Sequence, residues 1–363
     1  MREPNGKYYM VSALKRLYAD RLPLTVLTGP YCSRLAHYTI KEILTDAKKS
    51  VEAHLAFYHR FKPDSLIVYN DIYLEAEALG CKLEFFDDRT SHPKLLLLEN
   101  KSQLARLKIP DPSKDGRIPY FMEVCQGVSS RVRKTATVGL GHSGPWNIAI
   151  HLRGVESLLM DTVDDPEFVH ELMNFTTEVV KTVGDALIEA GFAPSLGEAA
   201  ASCSLISPTI FKEFIKPYHK ELCGYFRSKG ALTALHICGY IDPVMEEILD
   251  SNISILSLDA PSSLKNLVEL SAGRVTAMGN VHTSLFADGS RGDIEQAIRN
   301  CIETAAGGRG YILASGCEIP LDSTEDRIEH FFNYGRQFSR EFMSKLREKR
   351  PELFEDSLAT LKP

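Results

Sequence analysis

Three side chains in the sequence have the chemistry to hold a soft metal ion: His236, Cys238 and Cys317. The first two close one apolar run, ALTALHICGY, and the third follows another, GYILASGCEIP. Residues i and i+2 of a strand point to the same face, so His236 and Cys238 can reach one point. An imidazole and two thiolates form a borderline-soft set suited to Zn²⁺, and three protein ligands leave a position for a substrate or a labile fourth ligand. H-x-C by itself has little specificity, because a histidine and a cysteine at a strand end also serve as ordinary core residues. Neither cysteine belongs to a C-x-x-C pair, so a structural zinc ribbon is not indicated.

The elements that must position these groups are legible as alternation. Short apolar runs at residues 24–27, 65–69, 82–86, 137–140, 231–235, 253–258, 274–278 and 311–314 read as strands. Amphipathic stretches at 33–58, 166–190, 208–229, 243–250 and 293–306 read as helices, several opened by proline or an acidic residue. Repeated βα units predict an α/β fold with a parallel sheet, a (β/α)8 barrel forming a single domain over residues 1–363 with an N-terminal elaboration. No G-x-G-x-x-G follows an early strand, which disfavours a doubly wound dinucleotide-binding sheet. The segment 111–116 reads as an exposed loop, 325–349 as an exposed terminal helix.

In a barrel the site lies at the carboxyl ends of the strands, so polar residues that directly follow apolar runs are the candidates. Besides the three metal candidates these are Glu198, Asp259, Asn280, Asp71 and His142. Glu198 could be a fourth metal ligand or proton acceptor, or else a carboxylate at a helix N-terminus. Asp259 could accept the second ring N–H of His236 and fix its tautomer, or simply sit in an Asp-Ala-Pro turn. Asn280 could line the pocket through its amide, or form a turn beside Gly279. His142 and Trp146, in GHSGPW, could shape the mouth, although a Gly-Pro turn is the simpler account; Tyr240, just beyond the H-x-C motif, joins His142 as a cofactor-side candidate. His219 reads as a helix-surface residue.

The bulk properties exclude several classes. The chain has 363 residues and a net charge of −6, which argues against nucleic acid or an anionic membrane as its main partner. The opening MREPNGKYYM lacks the apolar core of a signal peptide, and no run is long enough to span a bilayer. The eight cysteines are scattered without disulfide-like spacing, as expected of reduced thiols in the cytoplasm.

Several stretches resemble the uroporphyrinogen decarboxylase superfamily: VYNDIYLEAEALGCKLEF, GHSGPWNIAIHLRGVESLLMD, SLISPTIFKEFIKPYHK, ALHICGYIDPVMEEIL, MGNVHTSLFADG and GYILASGCEIPLDSTEDRI. The likeness is best over residues 131–340 and poorest over 1–130. It implies a single (β/α)8 barrel. In the true decarboxylases an R-Q-A-G-R-Y stretch holds acetate groups and the last strand ends in G-H-G. Here the early segment is PLTVLTGPYCSRLAHY, with Arg34 isolated, and Cys317 stands where those enzymes have histidine. Asp71 aligns with the aspartate that contacts pyrrole nitrogens, a role that the missing arginines put in doubt. H-x-C with a late cysteine resembles the cobalamin-dependent methyltransferase branch, such as the methylcobalamin:coenzyme M methyltransferases. That resemblance implies zinc on His236, Cys238 and Cys317, and methyl transfer between a corrinoid and a small thiol or a methylated or methoxylated substrate. No D-x-H-x-x-G run is present, so the corrinoid is expected on a partner protein. The competing expectations are a decarboxylase and a non-catalytic barrel that binds a corrinoid protein.

Overall fold

The computed structural model describes residues 4–355. Six parallel strands form one sheet in the order β10 (Tyr311–Ser315), β9 (Thr276–Val281), β8 (Ile255–Leu258), β7 (Ala234–Ile237), β6 (Ser195–Gly197), β5 (His142–Ser143). A second parallel pair joins β1 (Ser65–Val68) to β4 (Thr137–Leu140), and β4 runs into β5 through Gly141. Residues 24–27 close the ring: bridges tie Leu24 to Leu313 and Leu27 to Glu318, while the Asp64 N–H donates to Leu24 O and Thr25 Oγ1 to Ser65 O. The result is an eight-position β/α barrel. Inward residues such as Ser195, Ala234 and Ile255 alternate with outward ones such as Leu196, Leu235 and Leu256, which are buried beneath the helices.

Residues 24–27 are anchored by a buried ion pair. Arg21 donates to both oxygens of Asp64 at 2.6 and 2.8 Å, and the Leu24 N–H donates to the same carboxylate at 2.8 Å. The helix Gly6–Leu14 lies across the amino-terminal end of the barrel, held by Lys7 N–H to Thr135 O and by Thr276 Oγ1 to Ala13 O.

The structure departs from the expected elements in several places, unexpected helices such as Ile118–Val132 and Leu264–Ser271 among them. Residues 82–86 do not join the barrel: β2 (Leu83–Glu84) pairs antiparallel with β3 (His92–Pro93) in a small hairpin within the N-terminal elaboration. Strand β6 was not expected, because three residues flanked by proline and ending in glycine present too short an alternation. The stretch 33–58 is three helices rather than one: His37 adopts φ 58°, Thr39 forms a capping box with Glu42, and Asp46 caps Ala47–Phe61. The stretch 208–229 contains a π-helical turn, Phe211–Ile215, directly before Pro217, whose missing N–H cannot continue the regular ladder. The terminal helix Glu325–Lys349 is amphipathic and buries Ile328, Phe331, Phe332, Phe338 and Met343 against the body. Among the described residues, no helix is long and apolar enough to cross a membrane, and none of the eight cysteines is in a disulfide.

Candidate metal centre

Strand β7 carries His236 and delivers Cys238 just past its end, while Cys317 follows β10 two residues after Ser315. The curvature of the barrel turns them toward one point. Cys238 Sγ lies 3.3 Å from His236 Nε2 and 3.6 Å from Cys317 Sγ, and Cys317 Sγ lies 3.6 Å from His236 Nε2. A sulfur pair at 3.6 Å is far outside disulfide range. Tetrahedral zinc, with bonds of about 2.3 Å to sulfur and about 2.0 Å to nitrogen, would set S···S edges at about 3.8 Å and S···N edges at about 3.5 Å. The observed triangle has those dimensions. Three donors converge and no fourth protein ligand joins them among the described residues.

The electrostatics are those of a preformed thiolate site. Hydrogen bonds from Cys238 and, against the opposing effect of burial, from His236 hold Cys317 well below the ordinary thiol range. The bond to Cys317, together with burial, pushes Cys238 up. Burial disfavours a charged His236 ring, yet Cys317, Asp259 and Glu318 outweigh it and raise its pKa. Of the two thiols, Cys317 is thus the one that more readily becomes the thiolate, and Cys238 the one that keeps its proton toward it.

Surrounding groups hold the triangle in shape. Ser257 Oγ lies 3.0 Å from His236 Nδ1, leaving Nε2 for the centre. Asp259 does not take the expected place beside His236. Its Oδ2 accepts from Gly239 N–H and its Oδ1 from Ala260 N–H, both at 2.7 Å, so it fastens the loop after Cys238 to the loop after β8. Gly239 itself adopts φ 74°, and a Cβ there would lie 2.8 Å from both Ser202 and Ser204 Oγ. The Asn280 amide donates to the carbonyls of Asp259 and Ser262 at 3.2 and 2.9 Å, bracing the same loops rather than facing the cavity.

The remaining candidates are dispersed. Glu198 is fully buried and accepts from Trp146 N–H, Asn147 N–H and His219 Nε2, at the N-terminus of helix Pro145–Arg153. That is the helix-terminus role, and Gly144 permits it, since a Cβ there would sit 2.3 Å from Glu198 Oε1. His219 is buried with it, contrary to the surface position expected; the helix turns this residue onto its inner face. Trp146 is buried and donates to Ala200 O. Tyr240 is 42% exposed on the rim.

Below and beside the metal candidates lies a cavity of about 380 Å³, lined among others by Asp71, His142, His236, Cys238, Cys317 and Glu318. Asp71 is fully engaged: Arg117 donates to both its oxygens, at 3.0 and 2.8 Å, and Ser91 Oγ donates at 2.8 Å. Burial, followed by the charge on Cys317, pushes Glu318 up to about 7. Ser257, Arg117, Glu318, Tyr69 and Glu75 escaped the sequence reading. Ser257 alone carried a usable clue, an inward position by strand period, but its pairing with His236 depends on the β7–β8 register.

A uroporphyrinogen decarboxylase of Trichodesmium erythraeum is 22% identical over 349 residues, covering 91% of this chain and 96% of that protein. A methylated-thiol–coenzyme M methyltransferase of Methanosarcina mazei is 30% identical over 195 residues, 52% of this chain and 50% of that protein. A methylcobamide:CoM methyltransferase of Methanosarcina barkeri is 24% identical over 258 residues, 69% and 73%. In three dimensions, a methyltransferase from Methanosarcina mazei superimposes with a TM-score of 0.83 at 21% identity, over 93% of this chain and 99% of that one, which shows the shared barrel. The family model for uroporphyrinogen decarboxylase (URO-D) matches residues 6–338, and the chain belongs to that family.

Proposed function

We propose that this protein is a zinc-dependent methyltransferase that moves a methyl group between a corrinoid carried by a partner protein and a small thiol or methylated substrate. The observation that carries this reading is the His236–Cys238–Cys317 triangle, whose three edges match those of tetrahedral zinc with one position open. Zinc bound there would keep a thiol deprotonated at neutral pH or polarise a methylated heteroatom. Ser257 holds the His236 ring so that Nε2, not Nδ1, is presented. Asp259 clamps the Cys238 loop through two backbone N–H groups, and the cavity supplies a mostly apolar chamber for the reacting group. The similarity to methyltransferases that act on methylated thiols and methylcobamide supports the same reading.

A decarboxylase acting on a tetrapyrrole acid is less well supported. Among the described residues no lysine or arginine lines the cavity, and Arg117, the cation nearest to Asp71, is taken up by Asp71 and Glu77.

The test is metal analysis joined to a methyl-transfer assay. About one zinc per chain is expected, lost in Cys238→Ala and Cys317→Ala, together with zinc-dependent demethylation of methylcobalamin by a thiol acceptor. A protein that binds no zinc and decarboxylates uroporphyrinogen would overturn the proposal.

A further inference from the structure

The interior of a β/α barrel is ordinarily filled by layers of side chains, so residues pointing inward from its strands are as inaccessible as those pointing outward. Here the two faces differ. On β6, β7 and β8 the outward Leu196, Leu235 and Leu256 are buried, whereas the inward Ser195, Ala234 and Ile255 remain partly exposed. What they face is the cavity, which follows β6 and β7 over their whole length, from Ala193 and Leu232 before the strands to Ala199 and Cys238 beyond them.

Both ends of that path meet solvent. Ala199 is exposed at the carboxyl-terminal end, where the metal candidates stand. At the amino-terminal end Ala193 is exposed and Leu232 is 42% exposed. The first helix lies across this end but is anchored to one side of the ring. Its Met10 and Ala13 pack with Met278 of β9 and with Ile312 and Ala314 of β10, and its Lys7 N–H donates to Thr135 O just before β4. The opening flanked by Ala193 and Leu232 lies between β6 and β7, with the partly buried Leu14 at its edge. Among the described residues no lysine or arginine lines the path to hold a molecule on its way through.

A methyl group passes in line between its two carriers, with nucleophile and leaving group on opposite sides. A corrinoid presented by a partner protein reaches the metal candidates through the barrel mouth, which leaves the small reactant the side beneath. Resting on the methyl-transfer reading, we propose that the bore is a passage: an entrance between β6 and β7 at the amino-terminal end, framed by Ala193 and Leu232, admits the small reactant to the His236–Cys238–Cys317 centre and releases its product while the partner sits on the mouth.

The test is thiol labelling inside the bore. Ala234→Cys puts a reporter on the inner face of β7, and the zinc-loaded protein is treated with methyl methanethiosulfonate and read at residue 234 by peptide mass spectrometry. Leu232→Trp narrows the lower entrance; Ala193→Trp, from the neighbouring strand, serves if that variant does not fold. The reporter is expected to react, and the narrowed entrance to slow its labelling at least fivefold with zinc content and melting temperature unchanged. With methylcobalamin as donor and 2-mercaptoethanol as acceptor, the same substitution without the reporter should raise KM for the thiol at least fivefold and leave KM for methylcobalamin as it was. A reporter that does not react, labelling as fast in a folded entrance variant, or an unchanged thiol KM overturns the proposal. Zinc content and thiol methylation by the unaltered protein judge the methyl-transfer reading separately: a zinc-bearing methyltransferase indifferent to the narrowed entrance sinks this inference alone.

Discussion

Ser257 Oγ and His236 Nδ1 lie 3.0 Å apart on adjacent strands, in register as direct partners of the β7–β8 ladder. That one contact decides which ring nitrogen reaches the two sulfurs. Partners of this kind change metal affinity about 10–100-fold when removed. Ser257→Ala is therefore expected to weaken zinc binding by roughly that factor while the barrel remains folded, as read by competition with a chromophoric chelator alongside circular dichroism. Unchanged zinc affinity would show that the ring needs no such support.

Glu198 is expected to matter for stability rather than for the metal. It satisfies two N–H groups of helix Pro145–Arg153 and the buried His219. Glu198→Ala leaves these donors without their acceptor, at a cost of about 1–3 kcal/mol. Thermal melting should fall by several degrees while zinc remains near one per chain. Loss of zinc in a variant that melts normally would instead make Glu198 a ligand.

The Arg21–Asp64 pair ties the first barrel strand to β1 from inside the protein, with both side chains nearly inaccessible. Removing one partner of a buried pair commonly costs about 3–5 kcal/mol, because the other charge is left stranded. Asp64→Ala should lower the urea midpoint by a corresponding amount. Asp64→Asn, which keeps an acceptor for the Leu24 N–H, should lose less.

Acid sensitivity should arise from buried histidines. Burial lowers His54 to about 4, and its ring bonds Ser50 O and the Tyr69 N–H in the neutral form. His151 is likewise lowered to about 4 by burial. Between the unfolded value of about 6.5 and the folded value, the unfolded chain binds more protons, so stability is fully present above about 6.5 and falls as pH drops toward 4. The loss is on the order of 3 kcal/mol per histidine. Glu318, raised by burial to about 7, contributes in the opposite sense over the same range, so the readout is the difference: urea titrations at stepped pH should show stability falling less toward pH 4 in His54→Gln than in the unaltered protein, and equal pH dependence in the two would contradict the assignment.

The Cys238 loop depends on a glycine. Gly239→Ala places a Cβ against two serine hydroxyls in a left-handed conformation that alanine resists. Weaker zinc retention on dialysis, with little change in helix content, is the expected outcome.

Much of the site was written in residue type and order. Apolar runs, each followed by a polar residue, located the strand ends, and H-x-C needed only the two-residue period of a strand to place His236 and Cys238 on one face. Cys317 followed from barrel topology, since the last strand returns to the neighbourhood of the others. Tertiary structure decided what depends on register and on packing across elements. Asp259 and Asn280 stand at strand ends exactly as candidates should, yet backbone N–H and carbonyl groups from adjacent loops claim their polar atoms, and Ser257 takes the place beside the imidazole. Glu198 and His219 meet only because a helix terminus and a helix face from separate units converge on them. The cavity has no sequence signature at all: a serine, a glycine or an alanine is unremarkable on any one strand, and only their alignment around a closed ring leaves empty space beneath His236, Cys238 and Cys317.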